Sequence, residues 1–109
     1  MPRFHQSSVM VSAVTAVQAV ERLQSFTPEL RRHGVARAWL FGSRARGEAG
    51  TDSDWDILVE FVRPPSFDDY MNLKQRLETV LGNSVDLVSR TACKPRFMAA
   101  IREEMLDVA

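Results

Sequence analysis

Gly42-Ser43-Arg44-Ala45-Arg46-Gly47, followed by Ser53-Asp54-Trp55-Asp56-Ile57-Leu58-Val59, sets a glycine-serine turn shortly ahead of two carboxylates spaced i, i+2. The apolar run before it, Val35–Phe41, reads as a strand. Gly42 and Ser43 then fall at the strand's exit, where free backbone N–H groups can face a phosphate. Asp54 and Asp56 open a second apolar run that predicts a strand over residues 55–62. Residues two apart in a strand share a face and lie roughly 6–7 Å apart along the chain, so both carboxylates can converge on divalent metal. A turn for phosphates beside a strand for metal points to chemistry on a nucleoside triphosphate.

Outward from this centre, the chain alternates helical and extended patterns. Before it, residues 8–26 carry Met10, Ala13, Val17, Val20 and Leu23 at helical spacing, which predicts an amphipathic helix. Thr27-Pro28-Glu29 signals a second helix, with Thr27 as hydroxyl cap, Pro28 at the first helical position and Gly34 as the stop. His33 is expected as a charge partner at that helix's C-terminus. After the centre, a short helical turn is expected within residues 44–53. Arg63-Pro64-Pro65-Ser66 breaks the strand, and Tyr70, Leu73, Leu77 and Leu81 predict a helix over Phe67–Leu81 that Gly82 ends. A third strand is expected at Val85–Ser89. A last helix follows Lys94-Pro95-Arg96 and carries Phe97, Ile101 and Met105 or Leu106. This order predicts an α/β (α+β) fold, a small mixed sheet flanked by helices.

The chain has 109 residues, enough for one domain and one core, with no room for a separate substrate domain. Whatever accepts the nucleotide must bind a cleft shared with a partner, or be that partner. Fourteen basic and fourteen acidic residues cancel, so direct nucleic-acid binding has no support from net charge. The single cysteine, Cys93, cannot form an internal disulfide, and no signal segment or membrane-length apolar run occurs. The cytoplasm, with its Mg²⁺ and ATP, is the expected compartment.

The pattern resembles the minimal nucleotidyltransferases, the smallest members of the DNA polymerase β-like nucleotidyltransferase superfamily. Gly42, Ser43, Arg46, Gly47, Ser53, Asp54 and Asp56 match the Gly-Ser-x-x-Arg-Gly and Ser-Asp-x-Asp parts of that signature, and Asp86 in Val85-Asp86-Leu87-Val88 matches its third carboxylate. Arg44 occupies a variable position, and Trp55 stands where the family more often has an aliphatic residue; its side chain is expected to pack under the sheet. The resemblance implies a nucleotidyltransferase fold over residues 27–109; residues 1–26 lie outside its signature and, on their own periodicity, are expected as a helical extension. It implies catalytic and metal-binding roles for Asp54, Asp56 and Asp86, and nucleotide binding by Gly42, Ser43 and Arg46. Two Mg²⁺ ions and ATP as donor follow, with AMP passing to a hydroxyl, a tyrosine's, on a HEPN-type toxin that this chain serves as antitoxin.

Each residue also has a plainer reading. Ser43 could simply cap a strand-to-helix turn, Asp86 could be the outward residue of a half-exposed strand, and Arg46 could pair with an acid of its own loop. Asp52, Asp54 and Asp56 imitate the start of a calcium loop, but Ile57 stands where that loop needs glycine and Arg63 where it needs glutamate. Two rival functions stand beside nucleotide transfer to a protein: a binding protein that neutralises its partner by occlusion, and transfer to a small molecule. The apolar stripe of residues 8–26 could face a partner, a second copy of the chain, or its own sheet.

Overall fold

The structure is a computed structural model that describes residues 15–109. Within them the chain runs α1 (Ala16–Gln24), α2 (Thr27–Arg32), β1 (Val35–Phe41), α3 (Gly42–Ala45), β2 (Trp55–Phe61), α4 (Phe67–Leu81), β3 (Val85–Ser89), α5 (Pro95–Ile101) and β4 (Leu106–Asp107). The strands form one four-stranded mixed sheet in the order β3-β2-β1-β4. β1 pairs antiparallel with β2 and with β4, whereas β2 and β3 run parallel. A parallel pair needs a long crossover, and α4 supplies it.

Alternation sorts the strand residues onto two faces. Ala38, Leu40, Trp55, Ile57, Val59, Val85 and Leu87 form the main core with Ala19 and Leu23 of α1, Leu30 of α2, and Leu73, Leu77 and Leu81 of α4. The opposite face carries Trp39, Phe41 and Leu58, on which Ile101, Phe97 and Met98 of α5 pack. Phe41 and Phe97 meet edge to face with ring centroids 5.6 Å apart. This second face is only partly covered, and the carboxylates lie on it. Leu77 is fully buried, so Leu77→Ala is expected to cost about 2–5 kcal/mol. Urea unfolding checks this as a lower midpoint with an unchanged slope.

Caps explain where the helices begin. Thr15 caps α1, accepting from the Gln18 N–H while Gln18 reaches back, and Ser66 and Asp69 do the same for α4. Gly82, at φ 75°, ends α4 in the left-handed conformation.

Several details depart from the expectations. Residues 8–14 of the predicted first helix, Met10 and Ala13 included, lie outside the described residues. In the described part α1 starts from its own cap at Thr15, and its buried face is Ala19 and Leu23, whereas Val17 is 66% exposed. The described helix thus folds onto its own sheet. Thr27 is not the cap of α2: that place belongs to Phe26, and the Thr27 hydroxyl donates to the Gln24 carbonyl. The short helix expected within residues 44–53 begins earlier, at Gly42. α5 ends at Ile101, so Met105 packs from beyond the helix and Leu106 belongs to β4, an edge strand too short to leave a periodic signal.

Candidate active site

β2 brings the acidic residues together. Asp56 lies opposite Phe41 of β1 and opposite Asp86 of β3. Aligned positions of paired strands face the same way, so Asp56 and Asp86 share the face covered by α5; Asp54 lies just ahead of β2, near enough for its charge to act on Asp56. Asp54 and Asp86 are exposed, whereas Asp56 is partly buried. Burial raises the pKa of Asp56, and the charges of Asp86, Asp54 and Glu104 raise it further against the opposing pull of Arg46.

The glycine-serine turn closes one side of this group. Gly42 takes φ +75°, and a Cβ built on it would lie 2.0 Å from Oδ2 and 2.8 Å from Cγ of Asp56. Glycine is therefore required twice, for its backbone conformation and for the closeness of the carboxylate. The Gly42 N–H donates to the Glu104 carboxylate. Arg46 reaches the same carboxylate at 3.1 Å and Glu48 at 2.9 Å, and these two partners raise the guanidinium's pKa, Glu48 more than Glu104. Arg46 thus pairs with an acid of its own loop and with one from across the chain. Ser43 sits beside Gly42 in α3, partly exposed.

Arg44 differs from its neighbours. It is 2% exposed, the one buried charged residue among those described. Its guanidinium donates to the backbone carbonyls of Ser53 and Asp54 and lies 4.1 Å from the centroid of the Trp55 ring. The Ser53 hydroxyl accepts from the Gly50 N–H, which closes the loop ahead of Asp54. Trp55 itself is 2% exposed in the main core, under the sheet as expected.

Glu104 and Arg44 were not foreseen. Glu104 lies 62 residues from the Gly42 N–H it faces, and Arg44 sits in an arginine-rich loop where each guanidinium looks alike in sequence. The aromatic residue at Trp55 was the available signal for Arg44, because a buried indole offers a surface for a stacked cation. Lys94 and Arg96 are both exposed on the first turn of α5 and its approach.

The family described as polymerase beta nucleotidyltransferase matches residues 24–106. The chain belongs to this nucleotidyltransferase family. It is 39% identical over 98 residues to the protein adenylyltransferase MntA of Thermococcus cleftensis, an alignment covering 88% of this chain and 99% of the relative. A solved structure provisionally named as a minimal nucleotidyltransferase superposes with a TM-score of 0.72 at 37% identity, over 84% of this chain and 94% of that one. The MNT antitoxin solved with the tri-AMPylated HEPN toxin of Shewanella oneidensis superposes with a TM-score of 0.64, covering 83% and 71% of the two chains. At 19% identity that last match speaks for the nucleotidyltransferase fold alone.

The residues fit Mg²⁺, the ion the family resemblance implies. It takes oxygen ligands and is commonly held by one or two carboxylates together with substrate phosphates. Among the described residues no three acidic, histidine or cysteine side chains are grouped closely enough to hold an ion by themselves. No helix among the described residues of this nucleotidyltransferase is long and apolar enough to cross a membrane.

Proposed function

We propose that this nucleotidyltransferase transfers AMP from ATP to a tyrosine hydroxyl of a HEPN-type toxin and, in the cytoplasm, acts as that toxin's antitoxin. The observation that carries the reading is the registered pair Asp56 and Asp86, with Asp54 just ahead of β2 and the Gly42 turn against Asp56. The adenylyltransferase relative and the antitoxin of similar fold support the donor and the partner class. Residues 1–26 are proposed as an extension to a domain of residues 27–109; the described part of that extension enlarges the domain's own core.

The acceptor oxygen attacks the α-phosphorus, the bond from that phosphorus to the bridging oxygen breaks, and pyrophosphate leaves. Gly42 and Ser43 offer N–H groups and a hydroxyl to the phosphates, and Arg46 can turn its guanidinium from carboxylate to phosphate. Asp86, exposed at the site's outer side, receives the acceptor's proton and passes it to solvent. Asp54, Asp56 and Asp86 would hold Mg²⁺, which when bound neutralises triphosphate charge and lowers the pKa of the acceptor hydroxyl.

Full-length protein, the toxin and ATP labelled at the α-phosphate test this reading. The toxin should gain label, and ATP labelled at the γ-phosphate should leave it unlabelled. A toxin silenced without label would instead mean neutralisation by occlusion.

Glu104 accepts from the Gly42 N–H, the donor that this reading offers to a phosphate oxygen. Nucleotide binding must displace it, and its charge opposes the incoming anion. Glu104→Ala is therefore expected to tighten ATP binding about 3- to 10-fold, a gain of about 0.7–1.4 kcal/mol, measured by calorimetry. Unchanged or weaker binding would show that Glu104 does not compete with the nucleotide.

A further inference from the structure

The buried cation of Arg44 has no acid partner among the described residues, and its hydrogen bonds go to backbone carbonyls just ahead of β2. Such burial is costly: desolvation lowers the pKa of Arg44, a direction Arg22 reinforces and the charges of Asp54 and Asp56 oppose. The group it stabilises in exchange is the loop that ends at Asp54. Arg44 belongs to α3, whose first residue is Gly42, and it grips Ser53 and Asp54 on the far side of the loop. The guanidinium thus spans the two halves of the site, from the phosphate turn to the carboxylate strand. Trp55 fixes its plane from below, with the guanidinium carbon 4.1 Å from the ring centroid.

We propose that Arg44, stacked on Trp55, is a positioning residue that sets Asp54 against the Gly42 turn. It touches neither nucleotide nor acceptor and acts through the Ser53 and Asp54 carbonyls. The planar fork can bond both carbonyls while stacking, which a lysine ammonium cannot do. The inference rests on the nucleotidyl-transfer reading for its consequence, but the positioning itself can be measured without turnover.

The test uses full-length Arg44→Lys, which keeps the charge and loses the fork. Backbone ¹⁵N relaxation of folded protein is the first readout. The order parameters of Ser53 and Asp54 are expected to fall while those of β1 and α4 hold. In single-turnover transfer of AMP, the rate at saturating ATP should fall about tenfold with the ATP concentration at half-maximal rate changed less than about twofold, as expected when a reacting group is displaced without losing substrate contacts. Unchanged order at Ser53 and Asp54 overturns the proposal, whatever the activity. A wild-type rate despite loosened carbonyls overturns the link to catalysis. Loosened carbonyls in a chain whose wild type transfers no AMP would leave Arg44 as the positioning residue and refute nucleotidyl transfer. Should Arg44→Lys not fold, Trp55→Leu, which keeps both hydrogen bonds and removes the stacked ring, decides by the same order parameters.

Discussion

Asp56→Asn is expected to abolish AMP transfer while making the ligand-free protein more stable. Under the proposed function Asp56 would help hold Mg²⁺, so removing its carboxylate forfeits several kcal/mol of transition-state stabilisation, at least about a thousandfold in rate. The stability gain follows from the sign of the pKa shift. A carboxyl whose folded pKa is raised binds its proton more tightly when folded than when unfolded, so its contribution declines as pH rises through that interval and stays unfavourable above it. Asparagine keeps the shape and carries no charge to repel Asp86, Asp54 and Glu104. Thermal unfolding at pH 4 and pH 8 without divalent metal checks this: the variant's advantage should be larger at pH 8. Equal melting temperatures at pH 8, or transfer near the wild-type rate, would contradict the role given to Asp56.

Gly42→Ala is expected to reduce transfer about a hundredfold in a protein that still folds. Two costs combine at this position. An L-residue at φ +75° carries about 1–3 kcal/mol of backbone strain, and its methyl carbon would sit 2.0 Å from the Asp56 Oδ2. The carboxylate has to swing aside, and a displacement of about 1 Å at a reacting group can cost about a hundredfold. Gly34→Ala separates the two costs. Gly34 has φ +82°, and a methyl added there would meet nothing within 4 Å, so its alanine variant carries strain alone. Melting temperatures of both variants should fall by the strain, about 4–8 °C for each kcal/mol, and that of Gly42→Ala further by what its clash adds, whereas transfer should fall only for Gly42→Ala. Loss of transfer in both would place the effect in general stability.

The strands and the long helix were readable because their signal is local. Val35–Phe41, Phe67–Leu81 and Val85–Ser89 have the observed boundaries that alternation, capping and a terminal glycine predict. The meeting of Asp56 with Asp86 was readable for a related reason: each sits in a short apolar run whose strand signal is local, and only the register of a parallel neighbour was needed. Contacts made across the chain were not readable. Glu104 is polar, lies beyond α5 and meets Gly42 only when the sheet and α5 have packed. The burial of Arg44 depends on Trp55 offering a ring from a different element, and no periodicity distinguishes it from Arg46. β4 pairs through two residues, below the length at which alternation means anything.

The two tryptophans lie on opposite faces of the sheet, and this gives the molecule a pair of separate optical reporters. Trp39 stands on the α5 side, with the guanidinium groups of Arg37 and Arg90 4.9 and 5.1 Å from its ring centroid, while Trp55 lies in the helix-backed core against Arg44. With Trp39 replaced by phenylalanine, the remaining emission follows the core and the loop ahead of Asp54; with Trp55 replaced, it follows the packing of α5. Unequal loss of the two signals during denaturation would reveal which layer lets go of the sheet first.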